Sequence, residues 1–171
     1  MRIKHRTLLR TKELRTLLSE LVDEANLIHT LLKDPTSGKG KVEQVVLEDK
    51  TTLYFVQGTL WLVVQSDRRF PGLPALLAGL VQLPQVVVDM GAVPHIANGA
   101  DVMAPGIVEV NPDITKGELV VIIDQKNRTP LAIGCTRMDA KTIVDARQGR
   151  AIETLHYVGD PVWNLAKELS G

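Results

Sequence analysis

Hydrophobic positions recur with two different periods along the first half of the chain. From Thr11, the apolar residues Leu14, Leu17, Leu18, Leu21, Val22 and Ala25 return every three or four residues. That spacing makes one stripe of an amphipathic helix, with Thr11 as its N-cap. DPTSGKG (Asp34 to Gly40) is a cluster of turn residues that ends it. Three runs rich in β-branched and aromatic residues follow: VEQVVLE (Val42 to Glu48), TTLYFV (Thr51 to Val56) and TLWLVVQ (Thr59 to Gln65). They predict strands, and the links Asp49-Lys50 and Gln57-Gly58 are short enough for hairpins. In RRFPGLPALLAGL (Arg68 to Leu80), Pro74 suits the first turn of a short helix.

Pro84 marks a boundary after the short linker Val81 to Leu83. QVVVD (Gln85 to Asp89) predicts a fully apolar strand, and GAVPHIANGA (Gly91 to Ala100) a short helix closed at Gly99. DVMAPGIVEV (Asp101 to Val110) is a strand interrupted by Pro105-Gly106, which demands an edge or a bulge. ITKGELVVII and LAIGCT are two more strands around the turn QKNRTP. Asp139 caps a helix expected to run to Gln148 with Gly149 just past its end; AIETLHYV is a last strand and PVWNLAKEL a tail helix. So many short strands with so little helix exclude a doubly wound parallel sheet. They point to a small, mostly antiparallel barrel.

Composition narrows the class. The 171 residues suit one domain or two small ones, and 44% hydrophobic with 23% charged content is enough to build a core. No apolar run approaches the ~18 residues of a membrane span, and no apolar signal block follows the basic start. One cysteine, Cys135, excludes an internal disulfide and a cysteine-based zinc site. A reducing cytoplasm, with no membrane partner, is the expected compartment. Net charge is zero but uneven: residues 1–15 carry six Lys/Arg against one acid, whereas 84–171 carry eight against eleven. The basic start reads as the solvated face of a helix, or as a set of phosphate contacts from Arg2, Lys4, Arg6, Arg10 and Arg15.

Catalytic chemistry finds no footing. No two of His5, His29, His95 and His156 share a helix face, so no metal site is marked. Cys135 sits in an apolar strand with Arg137 two residues on, and reads as packing rather than as a nucleophile. No serine occupies a nucleophile elbow, and GKGK (Gly38 to Lys41) lacks the rest of a phosphate-binding loop. No cofactor, metal or enzyme activity is expected. What stands out is HIANGADVMAPGI (His95 to Ile107), rich in small residues where a helix runs into an edge strand. It is either a plain helix end with a bulged strand, or a surface whose unpaired backbone groups hold a ligand.

NGADVMAPGI, GELVVIID, LAIGCTRMD and RQGRAIETLHYVGD together resemble the PUA domain, a small pseudo-barrel RNA-binding module. LYFVQGTLWLVVQSDRRFPGLPALL (Leu53 to Leu77) is similar to the pre-PUA domain that precedes it in one subfamily, and so is the tail from Ile152 to Leu165. Over roughly residues 42–165 the chain thus resembles archaeal counterparts of the malignant-T-cell-amplified-sequence family of translation proteins. The resemblance implies an α+β protein in two domains: 1–82, a helix with an antiparallel sheet, and 83–171, a PUA-like pseudo-β-barrel with the tail helix. It implies RNA contacts from the turn between the first helix and second strand of the barrel, here Ala97, Asn98, Gly99, Ala100, Asp101, Val102 and Met103. Thr154 and His156 on the last strand are the further candidates. The implied partners are tRNA or rRNA, the small ribosomal subunit, and a protein with an initiation-factor-like domain. Two other functions stay open on the residues alone: an accessory subunit of a tRNA- or rRNA-modifying enzyme, and an enzyme using Cys135 or His95.

Overall fold

The computed structural model describes residues 1–20 and 41–170. They divide into two compact units, Met1–Val81 together with the residues from Leu165, and Gln82–Asn164.

The first unit is built on a five-stranded antiparallel sheet in chain order: β1 (Ile3–Leu8), β2 (Val42–Leu47), β3 (Thr52–Val56), β4 (Thr59–Gln65) and β5 (Arg68–Pro71). The three expected strands are β2 to β4. Gln57 and Gly58 both have positive φ, 51° and 80°. A two-residue turn of that kind matches the twist of the strands it joins. Val45, Leu53, Val63 and Phe70 lie opposite one another in register across four strands and are at most 2% exposed. Truncating one such side chain typically costs about 2–5 kcal/mol.

Two strands depart from the sequence expectation. The basic start is a helix face only in part: Lys12 and Arg15 fall on the helix, but Ile3–Leu8 is an edge strand, with all six residues exposed. It carries no hydrophobic alternation of its own, and its hydrogen bonds to β2 make it a strand. β5 ends at Pro71, whose missing N–H is tolerated at a sheet edge. α1 (Thr11–Glu20) starts one residue earlier than expected, so Thr11 is its first residue rather than its cap. Glu13 instead accepts the Arg10 backbone N–H at 2.7 Å, one half of a capping box. The remainder of that expected helix (Leu21, Val22, Ala25), His29 and the turn Asp34 to Gly40 lie outside the described residues. α2 (Leu73–Leu77) has Pro74 in its first turn, as expected. A Cβ on Gly72 would lie 2.5 Å from the Leu60 carbonyl oxygen, so glycine is required for that approach.

The second unit runs β6 (Gln85–Val88), α3 (Val93–Ile96), β7 (Val102–Met103), a 3₁₀ turn (Ala104–Gly106), β8 (Ile107–Val110), β9 (Leu119–Asp124), β10 (Pro130–Thr136), α4 (Ala140–Ala146) and β11 (Arg150–Tyr157). α5 (Pro161–Ser170) follows, and its residues from Leu165 belong to the first unit rather than to the barrel, where the tail helix was expected. The sheet order is β7-β11-β10-β9-β6-β8, antiparallel except for the β6–β9 pair. β7 and β8 are consecutive in the chain yet form opposite edges. The short 3₁₀ turn is all that separates them, so the sheet must curl until its edges approach. That makes a nearly closed barrel, and Pro105 sits in the connecting turn where no ladder bond is lost. Val86, Val88, Ile96, Val102, Val120, Ile122, Ala132 and Ile152 fill its core.

Local polar contacts fix the connections. Asp139 caps α4 by accepting the Thr142 N–H at 2.7 Å, as expected. The helix closes two residues early, because Arg147 rather than Gly149 takes the left-handed conformation that ends it, at φ 47°. The 3% exposed Asp124 carboxylate accepts N–H groups of Asn127, Lys126 and Thr129 at 2.6, 3.0 and 3.0 Å. These bonds, the one from Asn127 foremost, hold its pKa below the ordinary carboxylate value. They also tie down the turn between β9 and β10.

Candidate nucleic-acid interface

The corner between α3 and β7 is shaped by the end of a one-turn helix. The N–H groups of Ala97, Asn98, Gly99 and Ala100 donate to Val93, His95, Ile96 and His95 carbonyls at 2.9–3.1 Å. The backbone donors expected to be open for a ligand are therefore consumed by the helix end itself. Gly99 has φ +85°, the left-handed conformation that such a closure needs. A Cβ there would lie 2.8 Å from Tyr157 Cε1, so the glycine makes room for that ring rather than for a ligand. Asn98 is exposed and donates its Nδ2 to the Pro94 carbonyl at 3.0 Å.

Beyond Gly99 the chain is latched to β11. Asp101 Oδ1 accepts the Thr154 N–H at 2.8 Å, and Asp101 Oδ2 accepts Arg150 Nη1 at 3.1 Å. Thr154 Oγ1 donates to the Ala100 carbonyl at 2.9 Å. β7 then pairs with β11, placing Met103 opposite Arg150. Beside this latch an open pocket of about 580 Å³ is lined by Ala92, His95, Ile96, Ala100, Asp101, Val102, Met103, Gly106 and Arg150. Its walls are mainly apolar, with His95, Asp101 and Arg150 as the polar groups. That size and lining fit a small organic ligand or a single nucleotide; a duplex is far too wide for it.

The expected site residues separate into three groups. Ala100, Asp101, Val102 and Met103 line the pocket, although Val102 turns its side chain into the barrel core and is 1% exposed. Ala97, Asn98 and Gly99 form the helix end next to it. Thr154 acts through Asp101. His156 is a correction: it is fully buried, and its Nδ1 lies 2.7 Å from Asp160 Oδ2. Asp160 also accepts the Tyr157 and Trp163 N–H groups, which makes the pair the corner where β11 turns into α5. No RNA reaches that imidazole.

Of the candidate phosphate contacts, all in the first unit, Arg2, Lys4 and Arg10 are exposed. Arg6 is engaged: Glu43 accepts its Nε and Nη2 hydrogens and stabilises its charged form. Arg15 lies on α1, and its side chain is outside the described set. Cys135 is half-buried on β10. Among the described residues no three His, Cys, Asp or Glu side chains converge as a metal site, and no helix is long and apolar enough to cross a membrane.

Arg150 and Ala92 are pocket residues that the sequence did not mark as a site, whereas His95, Ile96 and Gly106 fall within the stretch it singled out. Arg150 lies 49 residues from Asp101. Its one local signal is that it opens a strand directly after Gly149.

Comparison with known proteins places this corner in a family. Residues 84–158 match the PUA domain. An uncharacterized protein of Methanocaldococcus jannaschii is 35% identical over 173 residues, covering 96% of this chain and 99% of that one. Translation machinery-associated protein 20 of Saccharomyces cerevisiae is 32% identical over 160 residues, covering 90% and 88%. The chain belongs to the translation machinery-associated protein 20 family. The barrel is the PUA domain of this family member, and the site stretch from His95 to Ile107 lies wholly within the matched residues. The family likeness extends over the first unit as well. A hypothetical protein of Pyrococcus horikoshii OT3, known from a crystal structure, superposes with a TM-score of 0.75 at 31% identity, covering 95% of this chain and 99% of that one. Malignant T-cell-amplified sequence 2 of Homo sapiens, from the family named by the sequence resemblance, is 27% identical over 161 residues, covering 92% of this chain and 89% of that one.

Proposed function

We propose that this protein is a non-catalytic RNA-binding component of the translation machinery, acting on tRNA, the small ribosomal subunit, or both. The observation that carries the reading is the apolar pocket between α3, β7 and the start of β11, in the matched PUA domain. Its dimensions admit one unstacked nucleotide, and single-stranded bases are what proteins read on RNA. The relatives' names, as translation machinery-associated proteins, support the translation setting. A protein partner with an initiation-factor-like domain belongs to the same reading. Because the unit from Gln82 to Asn164 is acidic on balance, attraction to the phosphate backbone comes from elsewhere. Exposed Arg2, Lys4 and Arg10 are the residues we assign to it.

Ala100→Glu tests the pocket. Ala100 is exposed and lines the cavity, so the fold tolerates the change while a carboxylate enters the space. Fluorescence anisotropy with a labelled single-stranded oligoribonucleotide and with deacylated tRNA is expected to show affinity at least tenfold weaker. Equal affinity of the folded variant would move RNA binding off this pocket.

A further inference from the structure

The polar groups of the pocket are few enough to assign individually. Both oxygens of Asp101 are engaged within the protein: one takes the Thr154 N–H at 2.8 Å and the other takes Arg150 at 3.1 Å. Its two bonds hold it against β11. Arg150 is in the opposite position. It spends one donor on Asp101, its side chain is 53% exposed, and it is the one residue of the pocket lining with a fixed positive charge. A guanidinium has five N–H donors in a planar fork. The rest of that fork therefore faces solvent at the pocket edge, oriented by the carboxylate. Two further features hold Arg150 there. The residue before it, Gly149, has φ +83°, and its carbonyl accepts the Ala104 N–H at 2.9 Å, which binds the start of β11 to the 3₁₀ turn. On the other side, Met103 faces Arg150 in register and is 50% exposed. It offers a soft apolar wall next to the charge.

We infer that Arg150 is the phosphate-reading residue of the pocket, and that Asp101 is a positioning residue that aims it. A nucleotide enters with its base against the apolar wall and its phosphate on the Arg150 fork. A planar guanidinium matches a phosphate through two parallel hydrogen bonds, which a lysine cannot reproduce. This rests on the RNA-binding reading above and adds to it which part of the nucleotide is recognised, and by what. It also explains how a unit of negative net charge accepts a polyanion: one oriented cation in an apolar recess, rather than a broad basic field.

The test is an equilibrium titration of the full chain with a labelled single-stranded oligoribonucleotide over a salt series. Wild type is compared with Arg150→Ala, Arg150→Lys, Asp101→Asn and the Asp101→Asn/Arg150→Ala double variant, each checked for folding by thermal melting. Arg150→Ala is expected to weaken binding on the order of tenfold or more. It should also make the slope of log affinity against log salt shallower by about 0.7, the value of one phosphate contact on a single strand. Arg150→Lys is expected to keep the slope and recover part of the affinity. Asn at position 101 retains an acceptor for Thr154 and loses the anion that orients Arg150. Asp101→Asn is therefore expected to weaken binding in the wild-type background and to have no further effect once Arg150 is gone. An Arg150→Ala variant that binds with wild-type affinity and slope overturns the inference. An Asp101→Asn effect of equal size in both backgrounds overturns the positioning role. A pocket that does not hold RNA at all is a separate result: Ala100→Glu then has no effect, and both the reading and this inference fail together.

Discussion

Gly99 shows how one residue can look like a ligand platform and serve packing instead. Its small size and the Asn98-Gly99 pair signal a backbone open to approach. The geometry spends that freedom twice over, on a positive φ of 85° and on a gap filled by the Tyr157 ring. Gly99→Ala is therefore expected to destabilise the protein by roughly 1–3 kcal/mol, read as a lower urea midpoint. An unchanged midpoint would mean that Tyr157 moves aside at no cost. The same distinction separates His156 from Arg150. His156 lies on the expected strand and is buried against Asp160, whereas Arg150 begins that strand and faces the pocket. Which residues of β11 point outward depends on the bulge between Ile133 and Gly134 in its pairing with β10. No local pattern in AIETLHYV announces that shift. Residues within the pocket loop were legible because they are contiguous, from Ala100 to Met103. Their partners on β11 were not, because they arrive by pairing with a segment distant in the chain.

At the level of elements, strands with their own alternation were legible and borrowed strands were not. β2, β3 and β4 alternate or run apolar because they pack against a core, and their hairpin links carry turn residues. β1 has neither feature: IKHRTL is entirely exposed, and its conformation comes from β2. The interruption at Pro105-Gly106 was readable as a break, but not as the join between opposite edges of a curled sheet. That placement is set by the whole strand order. The turn from β9 to β10 makes a prediction of its own. Asp124 has a folded pKa below the ordinary value, so the unfolded chain takes up its proton first as pH falls. Its contribution is complete above about pH 4 and is lost as pH drops below that. Asp124→Asn is expected to melt at a lower temperature than wild type at pH 7. Its further loss of stability on acidification should be smaller than that of wild type. Parallel acid profiles for the two proteins would show that Asp124 carries none of the acid sensitivity.

For the whole molecule, charge is distributed against the simplest expectation for an RNA-binding protein. The residues matching the PUA domain lie in an acidic stretch, while the exposed cations Arg2, Lys4 and Arg10 lie near the start of the chain. A division of labour follows: apolar contact and one oriented arginine for recognition, exposed cations for attraction. Replacing Lys4 and Arg10 by Gln is expected to reduce the salt slope of tRNA binding by about 0.7–0.9 for each phosphate left without its cation. Ala100→Glu should lower affinity with a slope change no larger than about 0.7, the single Arg150 contact inside the pocket. Identical slopes in wild type and the Lys4→Gln/Arg10→Gln variant would exclude those two residues from phosphate contact.

The central claim is that this pocket serves the translation machinery. The most direct measurement is co-sedimentation of the wild-type protein and Ala100→Glu with small ribosomal subunits, with and without deacylated tRNA, across a salt series. The expected result is saturable wild-type binding that tRNA strengthens and salt weakens, and that disappears in the variant. Absence of wild-type binding at every salt concentration, or binding that Ala100→Glu leaves intact, would contradict it.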